Sequence, residues 1–427
     1  MKIKILSLLA APILLSAQSA SLSQAYNMAL GNDEEYKYYM YNSLAGEQRY
    51  NQALSQLLPT INGDLSYHGD KYKRFNKNSN ESYTSYGVTL RQPIFQPSLY
   101  YQRQQEELRM QGSHIELEHS RQELAKKVAK AYFELAYANA NLKLALSYQD
   151  ANKAKFEQME HSLSLGLTNK MDMLESKVRL DEALLGVSKA QRSIDIAKMS
   201  LFKLVGQDID TMEYFENINI DFFKNLDLRK YSDIEQNLDY RQSALLTQIA
   251  EKEHTKRKSE HLPTIDFSIG YSNNDYKDDR AFGDKNHRVE TNIRLNMPIF
   301  SSWYTSYRVE EGMFLRQASI SRQNDTRKNV DIAQRQATIN LQNYIQEYDI
   351  NVRSLEHANV YEHSIERGYE EGLKDLVDLL DAKARVHKIK NELIASARNV
   401  VLAYLELESL INDINEQSMS KLESAFN

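Results

Sequence analysis

The sequence predicts a mainly α-helical fold with membrane β-strands, organised as a duplicated half-molecule. Three observations indicate this class. Short motifs recur about 205 residues apart, two regions alternate apolar and polar residues with the period of a β-strand, and the long stretches between them contain almost no Gly or Pro. The 427 residues include only 14 Gly and 6 Pro, so the long unbroken stretches are expected to be helical.

The duplication is visible in motifs that occur once in each half. They are Leu-Pro-Thr-Ile at 58–61 and 262–265, Pro-Ile-Phe at 93–95 and 298–300, and a Gly-containing turn followed by Asp at 166–172 and 372–378. The period is too long for a solenoid, whose repeats span tens of residues. Each half is therefore expected to build the same structure.

The N-terminus has the pattern of a secretory signal. Lys2 and Lys4 precede an apolar run at 5–15 and a small-residue segment, which predicts a signal peptide at 1–19 with cleavage within 17–20. The apolar run is shorter than the ~20 residues that a transmembrane helix needs. The mature chain is thus expected to be exported. With 0 Cys it has no disulfide and no Cys to carry a lipid anchor.

The first half begins with a helical pattern from residue 21 to about 57, which Pro59 ends. A strand pattern follows across 61–92, where a polar tract at 69–82 separates two stretches of alternating apolar residues. The second half repeats this pattern across 264–297. Two strands of ~10 residues joined by a polar loop are typical of a bilayer-spanning hairpin. A soluble surface hairpin is the alternative for one copy, but two Tyr-rich copies after a signal peptide favour the membrane.

Long helical hairpins follow each strand pair. Apolar residues step by 3 and 4 along 98–162 and again to residue 205, with a turn near Gly166. The second half predicts a helix at 302–367, a turn around 368–372, and a helix that continues to about 410. The predicted tips lie near 163–172 and 366–381.

These elements give the expected organisation of the chain. Its parts are a signal peptide (1–19), a first structural repeat (20–205), an acidic equatorial connecting segment (206–235) and a second structural repeat (236–427).

The sequence lacks the motifs of an enzyme. It has no phosphate-binding or dinucleotide-binding Gly motif and no HExxH, and without Cys it has no thiol nucleophile. His357 and His363 are six residues apart and do not share a helix face, so we expect no metal site, no cofactor and no catalytic residue. The net charge of −6 gives no basic field and argues against nucleic acid as a partner.

One acidic cluster stands out in the second tip, where Asp375, Asp378 and Asp381 follow one another at three-residue steps. Asp378 and Asp381 share a helix face. A solvated acidic first turn, favoured by the helix dipole, is one interpretation. If the chain assembles around an axis, each Asp becomes a ring that selects cations.

With these features, the whole mature chain resembles the TolC-type outer-membrane factors. The tip at 372–382 (Gly-Leu-Lys-Asp-Leu-Val-Asp-Leu-Leu-Asp-Ala) carries the most specific part of the resemblance. The resemblance implies a homotrimer whose chains contribute four strands each to a 12-stranded outer-membrane β-barrel, continuing into a long periplasmic α-helical barrel. Four strands alone cannot close a barrel, and open edges are not tolerated in lipid.

The resemblance also implies functional residues. Asp378 and Asp381 match the constricting aspartates of the gate, and Tyr369, Lys374 and Asp172 match positions that tether the tip. The family usually has Arg where this chain has Lys374, and Lys lacks the bidentate fork of Arg.

The expected function is that of a passive outer-membrane exit duct for efflux or type I secretion. Its implied partners are a periplasmic adaptor protein and an inner-membrane pump of the RND or ABC type, with outer-membrane lipid around the barrel. Three alternatives remain at this point: a structural or adhesive coiled-coil surface protein with a β-anchor, a periplasmic adaptor, and an enzyme. The sequence does not identify the cargo or the pump.

Overall fold

A computed structural model describes residues 20–74, 77–212, 215, 218–276 and 286–426. The predicted signal peptide lies outside these ranges, as do parts of both predicted polar tracts and of the connecting segment. The described helices are α1 (Leu22–Asn32), α2 (Glu34–Ser55), α3 (Pro97–Ser164), α4 (Lys170–Val205), α5 (Ile220–Lys224), α6 (Leu238–Ser259), α7 (Tyr304–Glu370), α8 (Leu376–Leu410) and α9 (Glu416–Ser424). The strands are β1 (Thr60–Arg74), β2 (Lys77–Phe95), β3 (Thr264–Tyr276) and β4 (Asn286–Asn296).

The predicted class of a mainly helical, duplicated chain with a β-region is confirmed. Each half contributes one strand pair and one long helical hairpin. Among the residues that the structure describes, no helix has an apolar stretch long enough to cross a bilayer.

The chain divides into two compact units, each assembled from segments of both halves. The first unit comprises the described parts of Met1–Lys37, Glu118–Leu238 and Asn329–Asn427. The second comprises the described parts of Tyr38–Leu117 and Asp239–Lys328.

The second unit contains one antiparallel sheet of order β1-β2-β3-β4. The middle ladder joins the two halves of the chain, with Leu90 opposite Ile269. Residues directly opposite one another lie on the same face of a sheet. Ile61, Val88 and Ile293 therefore share an apolar face with these two residues, through the pairs of all three ladders.

The two faces of this sheet differ in chemistry. Leu65 and Ile293 on the apolar face are 77% and 75% exposed. The other face carries polar residues such as Asn62, Asp64 and Asn292. An outward apolar face opposite a polar face is the pattern of a membrane strand.

The first unit contains the large apolar core. Residues of α3 and α8 dominate it, and Val128, Phe133 and Val400 are fully buried. The ring of Phe426 stacks on Phe215 with 5.3 Å between centroids.

The same unit joins the end of the described chain to its beginning. Helix α9 packs on α1, where the Glu423 carboxylate accepts a hydrogen bond from the backbone N–H of Leu22 at 2.5 Å. A carboxylate is a favourable partner for the free N–H groups at the start of a helix.

The first helical region differs from the sequence-based expectation. One helix was expected from residue 21 to about 57, but the structure has two, separated at Asp33. The Asp33 carboxylate accepts a hydrogen bond from the backbone N–H of Tyr36 at 2.8 Å. Asp side chains commonly satisfy the first free N–H groups of a helix in this way.

Candidate functional site

The candidate site lies at the two helical tips, which the chain builds in the same way. Gly166 follows α3 with φ 73°, and Gly372 follows α7 with φ 74°. These left-handed conformations are accessible to Gly at little cost, because Gly has no Cβ. Each turn is followed by a capping side chain, Asn169 before α4 and Asp375 before α8. Equivalent residues therefore bend both hairpins sharply.

Apolar side chains hold the two tips together. Met159 of α3 is buried with Leu376 and Leu380 of α8, and Met173 of α4 and Tyr369 of α7 pack against them. This cluster contains a side chain from each of the four tip helices. The predicted tip segments of the two halves are thus adjacent in the first unit.

The two predicted constriction aspartates lie on the exposed side of α8. The side chain of Asp378 is 43% exposed and that of Asp381 is 62% exposed. Between them, Leu379 and Leu380 are buried in the tip packing. The helix consequently presents two carboxylates on one side and apolar contacts on the other.

Lys374 pairs within its own hairpin. Its Nζ lies 3.2 Å from Oδ2 of Asp378, in an i,i+4 pair. The stem of Lys374 also passes close to Gly368, where an added Cβ would meet Cγ of Lys374 at 2.9 Å. No ion pair between Lys374 and Asp172 occurs in the part of the chain that the structure describes. Lys374 therefore carries charge next to Asp378 and does not join the two halves.

Tyr369 and Asp172 lie close enough to interact electrostatically. Burial raises the pKa of the Tyr369 phenol, and the negative charge of Asp172 adds to this rise. The ring of Tyr369 also lies under Lys155, whose Nζ is 4.3 Å from the ring centroid. Burial and the positive charge of Lys383 lower the pKa of Lys155, although Glu366 opposes this effect.

Asp172 itself is engaged locally. Its Oδ2 accepts hydrogen bonds from the hydroxyl of Thr168 at 2.9 Å and from Nδ2 of Asn169 at 3.0 Å. Its backbone N–H donates to Oδ1 of Asn169. These bonds fix the first turn of α4 in the position from which Asp172 influences Tyr369.

Arg179 is a tip residue that the sequence did not single out. Its Nη2 donates to Oδ1 of Asp381 at 2.6 Å, and Nε donates to Oε1 of Glu175 at 3.2 Å. Nη1 lies 3.6 Å from a carboxylate oxygen of Glu182. The spacing of Glu175 and Glu182 around Arg179 is visible in the sequence as ordinary helix pairing. The contact with Asp381, about 200 residues away, has no local signal.

The tips bring acidic and basic side chains close together. Among the described residues, no group of three or more His, Asp or Glu side chains is arranged to hold a metal ion. The carboxylates are held by Lys and Arg in ion pairs of moderate exposure. Such an arrangement can attract cations and can be opened by separating the helices.

A known protein family matches each half of this chain separately. The model of the family described as outer membrane efflux protein matches residues 25–207 and 231–413. The chain is 22% identical to the outer membrane protein TolC of Vibrio cholerae over 418 residues, which cover 93% of this chain and 92% of that protein.

A second relative and a solved structure also match this chain over almost its whole length. The chain is 22% identical to the proteases secretion protein PrtF of Dickeya chrysanthemi, with coverage of 96% of this chain and 92% of that protein. It superposes on a crystal structure of CusC with a TM-score of 0.81 and 15% identity, covering 94% of this chain and 95% of that one. The fold is therefore shared along almost the whole chain.

Proposed function

This chain belongs to the outer membrane efflux protein family, and from that premise we propose that its two helical tips form the gate of a passive exit duct. The protein is an outer-membrane exit duct for efflux or type I secretion, and it extends into the periplasm. It is not an enzyme. It acts as a trimer with a periplasmic adaptor and an inner-membrane pump, and the pump supplies the energy.

The sheet supports assembly into a shared barrel. β1 and β4 are the edge strands of the four-stranded sheet. Lipid offers no hydrogen-bonding partners for an open edge, so only a closed barrel is stable there. Three copies joined through β1 and β4 give twelve strands with the apolar face towards lipid and the polar face towards the lumen.

The gate is formed by Asp378 and Asp381 of three copies. The observation that carries this proposal is the two-sided character of α8. Leu379 and Leu380 face the tip packing, while the two carboxylates remain on the exposed side. Around a threefold axis these carboxylates become rings, and rings of carboxylates select cations.

The three other predicted site residues support the closed tip. Tyr369 does so by packing in the cluster that contains side chains of both halves, and Asp172 does so by fixing the first turn of α4. Lys374 does so within the second hairpin, next to Asp378.

Planar-bilayer recording of the purified protein tests the duct and the gate together. The wild type should show a small cation-selective conductance that divalent cations block. The combined variant Asp378→Asn with Asp381→Asn should lose most of the divalent block and much of the cation preference. Asp195→Asn with Asp208→Asn is a matched control, because it removes the same charge from exposed positions outside the tips.

Two results would contradict the proposal. A wild-type trimer without conductance would exclude the duct. A double tip variant with the selectivity and block of the wild type would show that these aspartates are solvated surface groups.

A further inference from the structure

We propose that Arg179 is the latch that joins the two halves of the gate, and that its release on opening adds an uncompensated Asp381 carboxylate to the constriction. This inference deepens the gate and rests on the duct function proposed above. The proposal is that Arg179, a residue of α4 in the first half, controls whether the charge of Asp381 is compensated.

The guanidinium of Arg179 holds three carboxylates at once. The nearest oxygen is Oδ1 of Asp381 at 2.6 Å, followed by Glu175 at 3.2 Å and Glu182 at 3.6 Å. The planar guanidinium offers five N–H donors in a fixed geometry and can satisfy several acceptors. The side chain of Arg179 is only 22% exposed, so its position is restricted by its surroundings.

The Arg179–Asp381 pair is distinctive because it connects α4 with α8. In the part of the tips that the structure describes, the other ion pairs of the second hairpin stay within it. Lys374 pairs with Asp378, and Lys383 pairs with Glu366. Separation of the two hairpins would leave those pairs intact and would break the bond between Arg179 and Asp381.

The partners of Arg179 make this release asymmetric. Glu175 and Glu182 lie on the same helix as Arg179 and stay with it when the hairpins separate. Arg179 thus retains two carboxylates, whereas Asp381 loses its cation. Breaking the Arg179–Asp381 pair therefore costs less free energy than it would if Arg179 were left without a carboxylate. The pair is also partly exposed, and exposed ion pairs are weak enough to be broken by a docking partner.

The consequence is a gate whose charge depends on its state. In the closed tip each constriction aspartate has a cation, Lys374 for Asp378 and Arg179 for Asp381. In the open tip Asp378 keeps Lys374 and Asp381 has none. Three copies would therefore expose three additional negative charges on opening. A ring of freed carboxylates strengthens cation attraction and divalent binding.

The test compares four proteins by planar-bilayer recording: wild type, Arg179→Gln, Lys177→Gln, and the charge exchange Arg179→Asp with Asp381→Arg. Lys177 is the matched control, since it is exposed on the same helix and makes no ion pair among the described residues. We expect Arg179→Gln to raise the resting conductance and to increase divalent block by roughly two-fold or more. The Lys177→Gln variant should behave as the wild type.

The charge exchange separates loss of the latch from general damage. It restores opposite charges across the two helices, so it should return the resting conductance towards the wild-type value. If Arg179→Gln does not form trimers, the exchange variant decides the matter. A trimeric exchange variant with the resting conductance of the wild type supports the latch, and a trimeric one whose resting conductance stays well above that of Lys177→Gln overturns it.

Failure of this inference is distinguishable from failure of the duct function. If the wild type conducts and Asp378→Asn with Asp381→Asn changes its selectivity, the duct and gate stand. If Arg179→Gln is then indistinguishable from Lys177→Gln, only the latch is excluded. If the wild-type trimer does not conduct, both proposals fall.

Discussion

The hydroxyl of Tyr231 donates a hydrogen bond to Oε1 of Glu408 at 2.5 Å inside the first unit. The Glu408 side chain is only 5% exposed, and Nζ of Lys230 lies 3.7 Å from its other oxygen. Burial raises the pKa of Glu408, although the bond from Tyr231 and the charge of Lys230 oppose part of this rise. Glu408 thus attaches α8 to the segment that connects the two halves.

This carboxyl predicts a pH dependence of stability. A folded-state pKa above the unfolded value means that the native protein binds this proton more tightly. The contribution of Glu408 to the free energy of unfolding therefore falls as pH rises above the ordinary glutamate range, by about 1.4 kcal/mol per unit of pKa difference. Glu408→Gln should remove this decline and unfold at a higher urea concentration than the wild type at pH 8.

The measurement is urea denaturation followed by circular dichroism between pH 4 and pH 8. Glu157→Gln provides the control, since Glu157 lies on the surface of α3 in the same unit. A wild-type decline that persists unchanged in Glu408→Gln would assign the pH dependence to another group.

The two faces of the sheet predict different outcomes for the same substitution at two positions of β1. Leu65→Lys places a charge on the face proposed to meet lipid, where a Lys near the bilayer midplane costs about 2–4 kcal/mol. Asn62→Lys places it on the polar face of the same strand. The fraction of trimer recovered from outer membranes should fall for Leu65→Lys and remain near wild type for Asn62→Lys. Equal recovery of both variants would contradict the assignment of the faces.

Lys374→Glu should raise the resting conductance of the closed duct. It replaces an attraction to Asp378 by a repulsion, and a pair between such exposed groups is worth about 0.2–1 kcal/mol. Repulsion acts in all three copies, and the effect should shrink in 1 M salt because the groups are exposed. Lys388→Glu, at an exposed i,i+4 pair further along α8, is the control. A Lys374→Glu variant as tightly closed as Lys388→Glu would remove Lys374 from the gate.

Gly206→Ala should destabilise the first unit. Gly206 ends α4 with φ 82°, and an added Cβ would lie 2.6 Å from Oδ1 of Asn32. The Asn32 amide donates to the carbonyls of Lys203 and Leu204 at 3.3 and 3.0 Å, so its displacement leaves the last turn of α4 unsatisfied. Backbone strain and the lost bonds together predict a cost of about 2–3 kcal/mol.

A second glycine of the same helix serves as the comparison. Gly186 lies within α4 and has nothing within 4 Å of an added Cβ. Gly186→Ala should raise the free energy of unfolding by about 0.5–1 kcal/mol. Thermal unfolding of both variants gives the contrast, and equal effects would show that Gly206 has no special role.

The sequence was sufficient for the fold class because its signals are local. The alternation of Ile61, Leu65 and Val88 with polar residues is a property of consecutive residues, and the tip glycines mark the turns directly. The separation of α1 from α2 at Asp33 was missed because a single Asp did not interrupt the helical pattern. Its effect depends on whether its side chain caps the next turn.

The remaining features depend on contacts between distant parts of the chain. Periodicity shows that α8 has a buried side and an exposed side, but it does not show that Arg179 lies beside Asp381. Likewise, no local pattern shows that Glu423 of α9 packs on α1. The resemblance to a family indicated Lys374 as the cation that tethers the tip. In the structure, Arg179 is the cation that forms an ion pair between the two halves.

The ladder between β2 and β3 has a consequence for the order of folding. Leu90 and Ile269 are direct neighbours in the sheet although about 180 residues separate them along the chain. A polypeptide exported from its N-terminus therefore carries β2 without its partner until the first helical hairpin, the connecting segment and the beginning of the second half have emerged. Pairings between such distant segments form slowly, and an open strand edge invites aggregation in the meantime.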